Sequence, residues 1–464
     1  MAKRKTTPQK ALNKTIKKTV KKTAKKNPAV LIAIIAFLLV VAVVVVIVLF
    51  MKYQNDQKHA HDHDTVLKLK GQQKTYVQIG GTYVEQGAIA TYKGEDVSNE
   101  IVTTYMDESN ATVETIDTAV EATFYVNYTI SHEDWNAEIK RTVIVSDVAS
   151  MDINFLELGN QYTGDSTFIK AGDVDILIDA GSRNASAKVV GDFIDTYCTD
   201  GKLEYVIATH AHQDHIAGFV GTNSAPGIFD RYEVETIIDF ALTNTTSAVY
   251  TNYVAKRDAE VDSGAKHYTA LQCCNQTDGA KKVYDIAPGI TMEILYQKFY
   301  ENTTSDENDY SVCTLFTQGS NKYLLTGDLE AAGERSLVES NSLPKVQLFK
   351  GAHHGSYTAN TDALLSVIQP EVVCICCCAG SDEYTKTPEN MFPAQAAINR
   401  LGVYTDQIFV TTVVADDERK FQSMNGNICF HSDSGSIYTV TGSNNNTILK
   451  DTAWFKANRT WPSA

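Results

Sequence analysis

The first 51 residues contain no acidic residue, and their basic residues are distributed very unevenly. Residues 1–28 contain no acidic residue and eleven basic ones, which leaves 30 basic against 56 acidic residues in the rest of the chain. Residues 29–51 contain no charged residue at all, and a helix needs roughly 20 apolar residues to cross a bilayer. No small-residue cleavage site follows this run, which argues against a cleaved signal peptide. We predict a basic cytoplasmic segment (1–28) and a transmembrane helix (29–51).

The charge distribution predicts where the rest of the chain lies. Basic residues beside a transmembrane helix stay in the cytoplasm, so everything after residue 51 is expected outside the cell as part of a single-pass membrane protein. Contact of the basic segment with anionic lipid is a simpler explanation than nucleic-acid binding. The exported part has a net charge near −26 and no basic groove interleaved with aromatics, which disfavours a polyanionic partner.

Nine cysteines are an odd number for an exported protein, in which paired thiols are expected. Four of them fall in the apolar run VVCICCCAG, and we predict them as buried small hydrophobes on a core strand rather than as a metal cluster. The sequence does not decide whether the other five pair or stay free.

Residues 52–147 carry no catalytic constellation. His59, His61 and His63 alternate in the polar stretch 52–64, which we interpret as a solvated stalk, with weak metal chelation as the alternative. Short β segments with alternating apolar residues then predict an all-β sandwich over 65–147. Its expected role is spacing or adhesion.

Residues 151–442 alternate strands and helices, and no internal repeat is evident. Strands arrive first in hairpins and later in strand–helix units, which predicts an α/β fold with two sheets covered outside by helices. The sequence does not show whether the C-terminal tail, residues 443–464, is ordered.

The segment Thr209-His-Ala-His-Gln-Asp-His215 directly follows a predicted buried strand. Imidazole and carboxylate groups at this density suit zinc and similar divalent ions, whereas calcium or magnesium prefers oxygen ligands alone. Two later strands end in LLTGD, with Asp328, and in FKGAHHGS, with His353 and His354. Alone, Asp328 is more often a turn residue than a ligand, but its place in this series indicates one shared site.

The order LIDAG (with Asp179), THAHQDH, LLTGD and AHHGS resembles the metallo-β-lactamase superfamily, whose fold is an αββα sandwich. It is most similar to the branch with the extracellular domain of the DNA-uptake protein ComEC and the phosphorylcholine esterases. Supporting matches are Gly164-Asp165-Ser166, Asn308-Asp309-Tyr310-Ser311 and Lys350. The segment 65–147 resembles the Ig-like modules of bacterial surface proteins, which implies contact with cell-surface components.

The resemblance implies two metal ions, zinc or alternatively manganese. His210 and His212 would bind the first, Asp214 and His215 the second, and Asp328 would bridge them. Either His353 or His354 would close the second site; we assign His353 to the metal and His354, with Asp214 and Lys350, to catalysis. The residues expected to support the ligands from behind are Asp179, Asn308, Asp309 and Ser311.

One departure from the family pattern matters. Hydrolytic β-lactamases have a further histidine between HxHxDH and the bridging aspartate, whereas the only histidine in that interval here is His267, in a predicted loop. Asn308 or Asp309 takes the expected place, so hydrolysis of β-lactams is disfavoured.

Two cations a few ångströms apart make a shared water lose its proton near neutral pH, and hydroxide then attacks phosphorus or a carbonyl carbon. Phosphodiester hydrolysis is the favoured function, on nucleic acid, a teichoic-acid-like polymer or lipid head groups. A thioester or other acyl hydrolase of the same fold is one alternative. A catalytically inactive adhesion or sensing protein is the other.

Overall fold

The computed structural model describes residues 65–415 and 420–463. The predicted segments 1–28, 29–51 and 52–64 lie outside these residues, and no helix within them is long and apolar enough to cross a membrane. The described residues form two compact units. The first contains residues 65–68, Ala88–Ile101 and Ile130–Ala137, and the second contains Leu69–Gly87, Val102–Thr129 and the chain from Glu138 onward.

Residues 66–145 contain eight strands and one short 3₁₀ helix, Ser98–Glu100, while the sandwich domain over 65–147 stays a prediction. The strands are β1 (Val66–Leu69), β2 (Lys74–Val77), β3 (Ala88–Tyr92), β4 (Glu95–Asp96), β5 (Val102–Asp107), β6 (Thr112–Val113), β7 (Ala122–His132) and β8 (Trp135–Val145). Their sheet orders are β1-β3-β4 and β2-β8-β7-β5-β6. In β7 the alternate residues Phe124, Val126, Tyr128 and Ile130 are buried, which confirms the predicted alternation. Kinship with Ig-like modules stays a prediction.

The first half of the α/β region builds an eight-stranded sheet in the order β16-β15-β12-β11-β10-β9-β25-β26. Its elements, with a small hairpin of β13 and β14, are β9 (Met151–Phe155), β10 (Thr167–Ala171), β11 (Val174–Ile178), α1 (Ser186–Ile194), β12 (Lys202–Ile207), α2 (Gln213–Val220), β13 (Gly221–Thr222), β14 (Ala225–Pro226), α3 (Ile228–Arg231), β15 (Glu233–Asp239), α4 (Ala248–Asp262), β16 (Lys266–Thr269) and α5 (Ala270–Asn275). β9 to β11 pair antiparallel, and β11, β12, β15 and β16 pair parallel.

The second half builds another eight-stranded sheet, β17 to β24 in sequence order. Its elements, followed by the strands that complete the first sheet and a last helix, are β17 (Val283–Ala287), β18 (Ile290–Leu295), β19 (Cys313–Gln318), β20 (Asn321–Leu325), α6 (Ala331–Ser340), β21 (Leu348–Lys350), α7 (Asp362–Ile368), β22 (Val372–Ala379), α8 (Gln395–Leu401), β23 (Ile408–Val414), β24 (Phe421–Ser423), β25 (Ile428–Ser432), β26 (Thr439–Gly442) and α9 (Ala453–Asn458). Here too antiparallel hairpins precede parallel strands, as expected for two sheets.

The largest core cluster contains apolar residues of both sheets, among them Phe155, Met292, Phe316 and Cys374. A second cluster lies among β20 to β23 and the helices α6 to α8. Every residue of β22 is buried, which confirms the four cysteines of that strand as core residues, and all nine cysteines are free. Leu449 and Phe455 belong to the second cluster, so the segment after residue 442 packs on the α/β core.

The sequence motifs follow strand ends. Asp179 comes directly after β11, the THAHQDH motif after β12, Asp328 after β20 and the paired histidines after β21. Because β11 pairs parallel with β12 and β20 pairs parallel with β21, the carboxyl ends of each pair meet at one edge of their sheet. The prediction of a loop around His267 was wrong, since this residue lies in β16, where it pairs with Ile237.

Candidate metal centre

The turn between β12 and α2 carries three histidines in defined orientations. His210 and His215 are fully buried, and His212 stands in extended conformation as the residue that precedes α2. The Nε2 atom of His210 lies 3.0 Å from Nδ1 of His212. Asp214 and His215 lie in the first turn of α2. Strand and helix therefore fix the motif from both sides.

Asp179 orients this motif from behind. Its backbone has a φ of 59°, a left-handed conformation that costs a non-glycine residue about 1–2 kcal/mol. Its carboxylate accepts hydrogen bonds from the Thr209 backbone N–H (2.8 Å) and the Thr209 hydroxyl (2.7 Å), and it lies 2.7 Å from Nδ1 of His215. This partner holds the Nδ1 side of His215, so that Nε2 is left for a ligand.

Asp328 stands between the two halves of the fold. One of its carboxylate oxygens, Oδ2, lies 3.0 Å from His215 Nε2 and 3.1 Å from His354 Nε2. Gly327 precedes it with a φ of 55°, and a Cβ atom there would lie 2.8 Å from Cβ of Thr209. A glycine is therefore required for β20 to approach the histidine motif this closely.

The two adjacent histidines point to different places. Both have left-handed backbones, with φ values of 48° for His353 and 54° for His354. His354 donates from Nδ1 to the carbonyl of Cys376 (2.9 Å), and its Nε2 lies 3.4 Å from Asp214. His353 instead has its Nδ1 atom 2.9 Å from Glu330. The structure thus brings His354 to the carboxylates, and our assignment of His353 to the metal stays a prediction without support from this geometry.

The donors fit one metal ion well. Oδ2 of Asp328 lies 3.0 Å from Nε2 of His215 and 3.1 Å from Nε2 of His354, and Oδ2 of Asp214 lies 3.4 Å from the same His354 nitrogen. Four ligands at about 2.1 Å in a tetrahedron around zinc stand about 3.4 Å apart. Moreover, Nε2 of His354 is buried and forms no hydrogen bond of suitable geometry although Asp328 lies 3.1 Å away, as is expected of an atom that binds a metal. The pair of His210 and His212 offers two further nitrogens beside this set.

Lys350 and Asp165 form a buried ion pair next to Asp328. The Lys350 ammonium contacts Asp165, donates to the carbonyl of Gly327 (2.9 Å) and lies 3.4 Å from Asp328. Asp165 also lies 3.5 Å from Nδ1 of His354 and groups with the metal-binding candidates. In the sequence, Asp165 stands out only as part of the matching motif Gly164-Asp165-Ser166, which predicts no role for it.

The three residues predicted around Asn308 have separate tasks. Ser311 accepts a hydrogen bond from the Asp328 backbone N–H (3.1 Å) and lies 3.4 Å from Nδ1 of His210, so it contacts both halves of the site. Asp309 accepts from the backbone N–H groups of Glu330 and Gly333, at the start of α6. Asn308 donates to Glu330 (3.2 Å), and its buried oxygen has no hydrogen-bond partner.

The charges of the site follow from its carboxylates. Burial lowers the pKa of His215, but Asp328 and Asp179 outweigh it and raise that pKa well above the usual range. His354 behaves in the same way under the influence of Asp328 and Asp165. Burial raises the pKa of Asp214, while His354 and His215 hold it below the usual range. Without a metal, His215 and His354 therefore favour the charged form and balance Asp214 and Asp328, whereas burial and the neighbouring histidines lower the pKa of His210.

Replacing Asp179 by asparagine is expected to weaken metal binding about 10–100-fold, as is typical when the partner of a ligating histidine is removed. The amide cannot accept from His215 and from both Thr209 donors as a carboxylate does. Competition of the metal against a fluorescent chelator measures the affinity. An unchanged affinity would show that Asp179 does not orient His215 for the metal.

Residues 159–223 match the family described as Metallo-beta-lactamase superfamily. The chain is also similar to "Recombination protein 2" of Haemophilus influenzae, with 38% identity over 72 residues. That match covers 16% of this chain and 9% of the relative, so the chain spans less than a tenth of the curated protein it matches.

Several solved structures are similar at low identity. A metallo-β-lactamase from Cronobacter sakazakii matches with 13% identity, 42% of this chain, 73% of that chain and a TM-score of 0.25. A putative metallo-β-lactamase from Thermotoga maritima matches with 15% identity, 38% of this chain, 78% of that chain and a TM-score of 0.24. The family match covers the part of the chain that carries the THAHQDH motif, and the described residues contain a cluster of candidate metal ligands; neither observation names a substrate.

Proposed function

We propose that the protein is a metal-dependent phosphodiesterase, anchored in the cell membrane with its catalytic domain outside. The observation that carries this proposal is the convergence of nitrogen and oxygen donors from four strand ends: Asp214 and His215 after β12, Asp328 after β20 and His354 after β21, with Asp179 after β11 behind them. Such a convergence of groups that repel each other or lose hydration on burial is explained by a metal ion.

Two zinc ions suit these donors, with manganese as the alternative. Asp214, His215, Asp328 and His354 would hold one ion, and His210 with His212 would hold the other beside Asp328. When bound, the ions would lower the pKa of water and so provide hydroxide near neutral pH. The site of His210 and His212 lacks the third histidine that hydrolytic β-lactamases have, which disfavours β-lactam hydrolysis.

The protein's own groups bind, orient and balance charge. Asp214 has one carboxylate oxygen within 3.4 Å of His354 and is held in the first turn of α2, where it is placed to orient a nucleophilic water. Lys350 is buried against Asp165 and Asp328, which makes it a fixed counter-charge rather than a group that reaches substrate. His354 likewise would hold the metal together with Asp214, His215 and Asp328, and it does not serve as a separate general acid.

A phosphodiester is favoured as substrate because a pair of cations stabilises both the attacking and the leaving oxygen of an in-line displacement. The net charge near −26 of the part after residue 28 disfavours long nucleic acid at a distance but not a short phosphodiester at the metals. Teichoic-acid-like polymer and lipid head groups are the competing substrates. The membrane anchor rests on the composition of residues 29–51 alone.

The test uses the full chain in detergent with zinc or manganese supplied. We expect stoichiometric bound metal by mass spectrometry and hydrolysis of bis-p-nitrophenyl phosphate. His212→Ala removes one of the two imidazoles proposed to hold the ion at His210 and His212, so both metal content and rate should fall, the latter by roughly a hundredfold or more.

His267→Ala is the matched control, since this histidine bonds to Asp239, 2.8 Å away, and lies outside the donor set. It should keep both metal and activity. Hydrolysis of thioesters without hydrolysis of phosphodiesters would favour the acyl hydrolase instead. A protein that binds no metal would contradict enzymatic function and leave the anchored scaffold.

A further inference from the structure

The turn that carries the paired histidines is held by one buried side chain outside the sequence motifs. Asn360 is fully buried and stands two residues before α7. Its Nδ2 group donates to the carbonyl of Ala352, and its Oδ1 atom accepts from the N–H of the same residue, both at 2.9 Å. Ala352 directly precedes His353, so a single amide pairs both backbone groups of the residue at which the histidine turn begins.

Asn360 is itself fixed by contacts with two helices. Its backbone N–H donates to Glu334 of α6 at 2.6 Å, and its carbonyl accepts from Nε of Arg400 of α8 at 2.8 Å. Glu334 is fully buried and also accepts from the backbone N–H and the hydroxyl of Thr361. The φ of Asn360 is 59°, a left-handed conformation that asparagine adopts more readily than most residues. A rigid frame therefore presents the amide to Ala352.

The orientation of the turn after Ala352 decides which histidine meets the carboxylates. His353 and His354 both have left-handed backbones. Nε2 of His354 lies 3.1 Å from Oδ2 of Asp328, whereas Nδ1 of His353 lies 2.9 Å from Glu330. Groups that bind a metal must be held within about 0.5 Å of the productive geometry. A small displacement at Ala352 would therefore change the position of the His354 ring at the metal.

We propose that Asn360 is a positioning residue, whose paired hydrogen bonds to Ala352 direct His354 to the metal. The inference rests on the metal centre of the proposed function. Aspartate at this position keeps the size of the side chain and tolerates the left-handed backbone, but its carboxylate cannot donate to the Ala352 carbonyl.

We expect Asn360→Asp to bind one of its two zinc ions about tenfold more weakly, the lower end of the effect when a group that orients a metal ligand is lost. Titration of the zinc-free full chain against a fluorescent chelator measures the affinities. The visible spectrum of the cobalt-substituted protein should change as well, because it depends on the arrangement of the ligands.

Asn425→Asp is the matched control. Asn425 is equally buried and also joins backbone groups, since it accepts from the Val410 N–H and donates to the carbonyls of Asn445 and Thr447. Urea unfolding of the zinc-free proteins should show a loss of stability in both variants, whereas the zinc affinities and the cobalt spectrum of Asn425→Asp should match the wild type. If Asn360→Asp does not fold, Asn360→Gly keeps the left-handed backbone without the amide and takes the same test.

Unchanged zinc affinities in the Asn360 variant, or an equal loss of affinity in the Asn425 variant, would overturn the role of Asn360. A wild type that binds zinc but hydrolyses no phosphodiester would contradict the proposed reaction alone, and the affinities would still decide about Asn360. A wild type that binds no zinc would overturn both proposals.

Discussion

Replacing Asp328 by asparagine is expected to abolish stable metal binding and to lower phosphodiester hydrolysis by a factor on the order of a thousand, about 4 kcal/mol in transition-state free energy. Among the described residues, Asp328 is the one side chain within 3.1 Å of both His215 and His354, so it joins the half of the site after β12 to the half after β21. Asparagine keeps the shape but removes the negative charge that a dication requires.

The measurement is metal per chain by mass spectrometry together with the rate on bis-p-nitrophenyl phosphate. Asp239→Asn is the control, because Asp239 is an equally buried carboxylate at the end of β15 whose partners are Arg257, His267 and Tyr253. It should affect stability and leave metal content unchanged. Full metal occupancy in Asp328→Asn would show that this carboxylate is not a ligand, and the two-metal interpretation would fail.

Much of the α/β fold could be predicted from local patterns. Parallel strands that are buried on both faces are continuous apolar runs, and VVCICCCA of β22 is such a run with every residue buried. The hairpin strand β7, which is buried on one face only, shows alternation instead. His267 was misplaced because KHYT contains no run of apolar residues to mark β16, which is half-buried at a sheet edge.

The site was less predictable where the orientation of a side chain, rather than its residue type, decides its role. Neighbouring histidines in one motif cannot be told apart by spacing, and only the left-handed backbone at His353 and His354 turns one towards Asp328 and the other towards Glu330. Tyr384, whose hydroxyl donates to Asp214 at 2.6 Å, carries no local signal at all, since the two residues are 170 positions apart in sequence. Asp165, by contrast, could have been predicted as a site residue, because it lies in the matching motif Gly164-Asp165-Ser166.

Lys350 shows how charge and stability are coupled in this site. Its side chain is 4% exposed and contacts Asp165, which is itself 2% exposed. Burial lowers the pKa of the Lys350 ammonium, yet Asp165 and Asp328 outweigh that effect and raise it above its usual range. An ammonium that is held by two carboxylates has no face left for substrate. A counter-charge of this kind should therefore matter for folding even when no metal is bound.

Lys350→Met is accordingly expected to destabilise the metal-free protein by about 3–5 kcal/mol, because the similar-sized apolar side chain leaves buried carboxylates without their cation. Urea unfolding after treatment with a chelator measures this loss. The double variant Lys350→Met/Asp165→Asn removes both charges and should regain most of the stability, which a general packing defect would not allow. A Lys350→Met protein as stable as the wild type but slow on phosphodiesters would instead assign the ammonium to the transition state, where it would stabilise charge developing on the substrate oxygens.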